Sequence, residues 1–254
     1  PWDKDKVTRR SVDSVIAEVI HLRDDLGFTG VMFFDDVFTM SLKWLTEFCE
    51  KIAPLNMIWR CFLRADTASY KKLKMMKDSG CVEVGVGVES GSNKILKIIN
   101  KGESVEANSM AREICRQVGI RFKSFFIVGL PGEDYDTAEE TRQWILQNEP
   151  DAYSLFIFVP LPGAPIYEAI KRNTGQYDYQ LDIDDFRHRY WGGIMTDQIS
   201  PGHTSALSRT EIVRLRNEMA ADLNSKGIRD RNNIITQENF NDGNLFNTDV
   251  RQVG

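Results

Sequence analysis

Five apolar runs rich in β-branched and aromatic residues recur along this chain, each ending abruptly in glycine or a chemically capable side chain, and a helical pattern follows each one. The sharpest is Val84-Gly85-Val86-Gly87-Val88-Glu89-Ser90-Gly91-Ser92. Strands buried on both faces read as continuous apolar runs, and a crossover long enough to hold a helix returns the chain to the same end of the sheet, so successive strands are parallel. Their carboxyl ends then open on one rim, where loops hold a ligand. The pattern therefore predicts an α/β protein whose chemistry sits on strand ends.

Ser11 is placed to cap a helix whose apolar positions Val12, Val15, Ile16, Val19, Leu22 and Leu26 fall at helical spacing, with Gly27 as its stop. Strands are expected at 31–34, 57–63, 82–88, 120–128 and 152–159. Helices are expected around 42–52, over 67–79, around Ile95, Leu96 and Ile99, and around Met110, Ile114 and Val118. Thr137 and Glu140 form a capping-box pair for a helix through Trp144 and Leu146, and the fifth strand runs into Pro160-Leu161-Pro162-Gly163. Past Thr174 the repeat gives way to a polar, aromatic-studded stretch, then to a helix announced by the box Ser208-Arg209-Thr210-Glu211, with Ile212, Leu215, Met219 and Leu223 on one face. From Asn224 onward the sequence reads as irregular. Residues 1–174 are expected to form a partial barrel and 175–254 an extension packing on or near it. An α/β chain normally opens on a strand, whereas this one opens on a helix, so a strand is expected upstream of Pro1.

The 254 residues carry 32 Lys+Arg against 37 Asp+Glu, a formal charge of -5 without a basic stripe, which disfavours nucleic acid or anionic lipid as the main electrostatic partner. No apolar stretch approaches the roughly 20 residues that span a bilayer, and nothing resembles a signal peptide, so a cytoplasmic location is expected. Cys49, Cys61, Cys81 and Cys115 are far apart, form no Cys-x-x-Cys unit and read as buried, inert thiols. His21 reads as solvent-facing, His188 as either pocket lining or packing, and His203 as a loop residue.

The strand ends carry Asp35-Asp36, Arg64 with Asp66, Glu89-Ser90, Gly129 with Glu133, and Pro160 to Gly163. Any one carboxylate there could merely complement a helix dipole, worth roughly 0.3–1 kcal/mol. Glu89 is harder to dismiss, because it ends a run of alternating Val and Gly where a ligand or backbone can approach closely. A carboxylate there can accept hydrogen bonds from vicinal ribose hydroxyls. The segment 126–133 offers backbone groups suited to the edge of a flat heterocycle. No nucleophile elbow, Walker loop or zinc spacing is present.

Together, Arg9-Arg10-Ser11, Phe33-Phe34-Asp35-Asp36-Val37-Phe38-Thr39, Trp59-Arg60-Cys61, Arg64-Ala65-Asp66, Gly87 to Ser92, Asn100-Lys101-Gly102, Phe126 to Glu133, and Val159 to Gly163 make the chain resemble the core of the radical S-adenosylmethionine enzymes. The likeness is strongest to the branch often fused to a cobalamin-binding domain. It implies an incomplete TIM-type parallel (β/α)6 barrel whose first strand and cluster loop are missing, plus a C-terminal helical or irregular extension. By position, it gives Asp35 and Asp36 the amino group of the methionyl moiety and Arg64 its carboxylate. Glu89 and Ser90 take the ribose hydroxyls, Val128 and Gly129 meet the adenine through backbone, and Val159 and Pro160 border it. The resemblance further implies S-adenosylmethionine and a four-iron four-sulfur cluster as cofactors, cobalamin on a separate domain as an option, and a reductant such as flavodoxin or ferredoxin. Hydrogen abstraction by a 5′-deoxyadenosyl radical, leading to methyl transfer or cyclisation, is the implied reaction.

The departure is the Cys-x-x-x-Cys-x-x-Cys loop that ligates the cluster in this family, which is absent from all 254 residues. Its expected place is upstream of Pro1, so the chain reads as a fragment that would not generate the radical alone. Two rival readings remain open here. One is a barrel hydrolase using Asp36, Glu89 and Glu133 as an acid/base set. The other is a nucleotide-binding module without catalysis.

Overall fold

The apolar runs and helical periods build a sheet of five parallel strands in sequential order: β1 (Gly30–Met32), β2 (Ile58–Phe62), β3 (Cys81–Glu89), β4 (Arg121–Val128) and β5 (Ala152–Ile157). The computed structural model describes residues 9–35, 38–184, 186 and 199–228. Helices α1 (Val12–Asp24), α2 (Leu42–Ile52), α3 (Tyr70–Asp78), α4 (Asn93–Ile98), α5 (Val105–Val118), α6 (Tyr135–Asn148), α7 (Pro165–Lys171) and α8 (Arg209–Ser225) alternate with the strands and then follow them. A small antiparallel pair, β6 (Gln180–Leu181) with β7 (Gly202–His203), lies beyond α7. The described residues divide into two compact units, one of 87–110, 124–184, 186 and 199–228, the other of 9–35, 38–86 and 111–123. Both β3 and β4 pass from one unit to the other.

In the unit holding β1 and β2, burial alternates along β2, with Trp59 and Cys61 buried and Ile58, Arg60 and Phe62 half-buried. Leu45, Phe48 and Ile52 of α2 and Leu73 and Met76 of α3 are buried in the same unit. Aromatic edges lock this core: the Phe48 and Trp59 rings meet edge-on at 5.3 Å and Phe33 stacks on Phe38 at 4.6 Å. Arg60 and Arg121 both reach Glu83 on the more open side, at 3.3 and 3.6 Å. All four cysteines are free and buried, as the sequence predicts, and burial raises the Cys49 thiol to about 11.

In the other unit, α6 starts at Tyr135 rather than at the expected Thr137–Glu140 pair. Asp134 is the N-cap, accepting from Thr137 N–H at 2.8 Å while the Thr137 hydroxyl accepts from Asp134 N–H at 3.0 Å. The box at Ser208 and Glu211 opens α8 as predicted, and Ile212, Met219 and Leu223 are buried. Helix α8 packs on this unit's strand and helix: Arg216 Nε donates to Leu155 O at 3.0 Å, and Arg142 Nη1 pairs with Asp222 Oδ2 at 2.6 Å. Ile95, Leu130, Phe158, Ile170 and Tyr179 form a buried hydrophobic cluster in this unit.

Candidate functional site

Strand β3 ends in an unusual way. Glu89 has φ +63, in the left-handed region, and Ser90 N–H donates to Val88 O at 2.8 Å across it, closing a three-residue turn. A non-glycine residue held there costs on the order of 1–3 kcal/mol, and such outliers concentrate where a side chain must be aimed. Glu89 lies on the same face of β3 as Gly87, two residues earlier. Lys101 Nζ donates to Glu89 Oε1 at 2.9 Å, and both side chains are about one-fifth exposed, at 21% and 20%. A methyl group on Gly87 would fall onto Glu89 Oε1 and stand 3.1 Å from Lys101 Nζ, so the missing Cβ is what makes room for this pair.

Ser90 points the other way. Its hydroxyl is fully buried, lies 3.1 Å from Thr141 Oγ1 on α6, and accepts from Ser92 N–H at 3.1 Å. Thr141 Oγ1 also accepts from Gly91 N–H at 3.0 Å, and a Cβ on Gly91 would stand 2.6 Å from Thr141 Cα. The Ser-Gly-Ser segment thus docks the strand end against α6 and fixes the turn that carries Glu89. The hydroxyl of Ser90 is committed to that task.

The next strand end is the turn after β4. Gly129, at φ +81, donates its N–H to the Glu133 carboxylate, and Val128 O accepts from Phe158 N–H at 2.8 Å. Glu133 is only 1% exposed, and burial pushes its carboxyl up to about 8, partly offset by the N–H groups of Gly129 and Leu130. Ile212 of α8 closes over Gly129, where an added Cβ would meet its Cγ2 at 2.8 Å. The Thr204 hydroxyl donates to Glu133 O at 2.9 Å. Val159 is half-buried and Pro160 buried at the end of the following strand, while Leu161 is exposed.

In the other unit, Asp35 is exposed just past β1, behind Phe34, which is 74% exposed and meets the Phe62 ring edge at 6.0 Å. Arg64 follows β2 and forks onto Asp66, with Nε to Oδ1 at 3.1 Å and Nη2 to Oδ2 at 2.8 Å. Its guanidinium thus already displays the two-toothed geometry that a carboxylate ligand requires. Asp36 and His188 lie outside the described residues.

These placements correct the hydrolase reading. Glu133 is no rim carboxylate but a buried brace of its own turn, and Glu89 is paired with Lys101, so the two do not form an acid/base set. Lys101, which no sequence pattern marks as the partner of Glu89, directly follows Asn100, a residue suited to ending a helix in the left-handed region.

The profile of the Radical SAM superfamily matches residues 2–145. This chain belongs to the radical S-adenosylmethionine superfamily. Among curated relatives, an uncharacterized methyltransferase of Pyrococcus horikoshii is 31% identical over 166 residues, which cover 64% of this chain and 36% of the relative. The anaerobic magnesium-protoporphyrin IX monomethyl ester cyclase of Cereibacter sphaeroides is 27% identical over 176 residues, 67% of this chain and 29% of that protein. The chain therefore spans about a third of the length of these relatives. Among solved structures, coproporphyrinogen III oxidase of Escherichia coli, a radical SAM enzyme, superposes with a TM-score of 0.61 at 15% identity, covering 87% of this chain and 48% of that one. The radical S-adenosylmethionine methyltransferase TsrM of Kitasatospora setae, with cobalamin and a [4Fe-4S] cluster bound, gives 0.59 at 18% identity, covering 65% and 32%. These likenesses show the fold, an incomplete TIM-type α/β barrel. The family's cofactors are S-adenosylmethionine and a [4Fe-4S] cluster. Among the described residues no helix is long and apolar enough to cross a membrane.

The residues fit the two cofactors unequally. Backbone strain aims Glu89 at a strand end and a glycine clears its surroundings, which suits a ligand rich in hydroxyls. The cluster does not fit this chain's own thiols: Cys49, Cys61, Cys81 and Cys115 are all buried, and no group of three His, Cys, Asp or Glu among the described residues could hold a metal ion.

Proposed function

We propose that this chain is the S-adenosylmethionine-binding part of a radical enzyme of the methyl-transferring or cyclising kind, with the cluster ligands in a part of the protein outside these 254 residues. The observation that carries the reading is the strained Glu89 at the end of β3, in a chain of this family. Glu89 accepts from the ribose hydroxyls; Ser90 keeps a supporting role in the same contact by anchoring the turn to α6. The backbone of Val128 and Gly129 meets the adenine, and Val159 and Pro160 border it. Asp35 takes the methionyl amino group, with Asp36 beside it in sequence, and Arg64 takes the methionyl carboxylate in place of Asp66. A cytoplasmic setting, a reductant such as flavodoxin or ferredoxin, and cobalamin on a separate domain complete the proposal.

The test is anaerobic reconstitution of the intact protein with iron and sulfide, followed by S-adenosylmethionine and a strong reductant. Formation of 5′-deoxyadenosine is expected. Binding of S-adenosylmethionine with no 5′-deoxyadenosine would point instead to a non-catalytic module. Hydrolytic activity in air without iron would overturn the reading altogether.

A further inference from the structure

The two members of the Lys101–Glu89 pair are each presented by backbone in the left-handed region. Glu89 itself sits at φ +63, and Lys101 is bracketed by Asn100 at φ +54 and Gly102 at φ +71. Lys101 N–H donates to Leu96 O at 3.0 Å and Asn100 N–H to Lys97 O at 3.2 Å, so the tail of α4 is pinned where the lysine departs. The side chain then reaches back to β3 and ends 2.9 Å from Glu89 Oε1, over the bare Cα of Gly87. Surface ion pairs between long side chains are ordinarily worth little, because they lose entropy and are screened by water. This pair is mostly shielded, its backbone is fixed at both ends, and a glycine is placed where any other residue would push it aside.

We propose that Lys101 is the positioning residue for Glu89: its ammonium holds Oε1 over Gly87 and so presents the other carboxylate oxygen to the ribose hydroxyls of the ligand. A glutamate swinging freely on its side-chain torsions would have to be ordered at the moment of binding, at a cost in affinity; one already held at one oxygen does not. In this role Lys101 acts through Glu89 and does not touch the ligand. The inference rests on the ribose reading of Glu89.

The experiment compares two ligands by calorimetry on the intact protein under anaerobic conditions. S-adenosylmethionine carries ribose, adenine, ammonium and carboxylate, whereas 5′-methylthioadenosine carries only the ribose and adenine. Lys101→Met is expected to weaken both ligands by the same factor, about tenfold for a lost charge-assisted hydrogen bond. Lys101→Arg should restore most of that loss. Gly87→Ala keeps both charges but displaces the carboxylate, and it should reproduce the loss for both ligands. Adding Lys101→Met to Glu89→Gln should cost little more, because the two act as one unit. The inference is overturned if Lys101→Met weakens S-adenosylmethionine yet leaves 5′-methylthioadenosine at wild-type affinity, which would place the ammonium on the methionyl carboxylate. It is also overturned if the Glu89 and Lys101 variants add independently. Unchanged affinities in Glu89→Gln would remove the ribose reading itself, and a wild-type protein that binds neither ligand would remove both.

Discussion

Glu133 makes the stability of this protein depend on pH, with or without a ligand. The carboxyl is buried under the turn it braces, and burial lifts it from 4.5 to about 8. Between these two values the folded protein keeps a proton that the unfolded chain has released. Rising pH therefore favours the unfolded state throughout that window. The stability is fully present below pH 4.5 and is lost as pH climbs through about 8. At about 1.36 kcal/mol per pH unit the loss is on the order of 5 kcal/mol, a large part of the roughly 5–15 kcal/mol that hold a typical domain together. Asp134 and Glu211 act outside this window: held down at about 2 by Lys94 and by Ser208, respectively, they remove stability only as pH falls toward that value. Urea unfolding of the wild type at pH 5, 6.5 and 8 should show the midpoint falling steadily. Glu133→Gln, which keeps an oxygen for Gly129 N–H but cannot ionise, should flatten the profile. A wild-type midpoint that rises or stays level over this range, or an identical slope in Glu133→Gln, would show that Glu133 is not the group that sets this dependence.

Two further outcomes follow from the packing of the strand ends. Gly129→Ala combines a left-handed backbone with a contact at 2.8 Å from Ile212 Cγ2, so it should cost about 2 kcal/mol in thermal or urea unfolding, and the same change should cost less when made in an Ile212→Ala background. Thr141→Val leaves Gly91 N–H and the Ser90 hydroxyl without their shared partner in a buried place, at about 1–3 kcal/mol. Its signature is faster amide exchange at Gly91, while a core variant of similar cost such as Ile145→Val should leave that amide slow.

Much of the fold was legible because helical and strand periods differ and glycine marks their ends. The strand runs at 57–63 and 120–128 contain the observed β2 and β4, with the ends trimmed by one or two residues. The start of α6 was misplaced because Thr137 and Glu140 mimic a capping box. The actual cap, Asp134, uses Thr137 as its reciprocal partner, a pairing that sequence spacing alone ranks below Ser or Thr with Glu. At the site, Glu89 was legible as the residue that ends an alternating Val/Gly run. Its neighbour was harder to read. Successive residues on a strand face opposite sides, so Ser90 meets α6 while Glu89 does not, and only Thr141, fifty-one residues on, shows what the hydroxyl bonds. Lys101 stayed hidden for a related reason: a full helix separates it from Glu89, and no local period links the two. The burial of Glu133 was equally beyond the sequence, since a Pro-Gly-Glu turn reads as exposed until Thr204 and Ile212 of the later chain cover it.

The central claim is that the strained Glu89 at the end of β3 holds the ribose of S-adenosylmethionine. The most direct test is the dissociation constant of S-adenosylmethionine for the intact anaerobic protein, measured by calorimetry for the wild type and for Glu89→Gln with the same fold by circular dichroism. Saturable binding is expected, weakening about tenfold or more when the carboxylate becomes an amide. Equal affinity in the two proteins would contradict it.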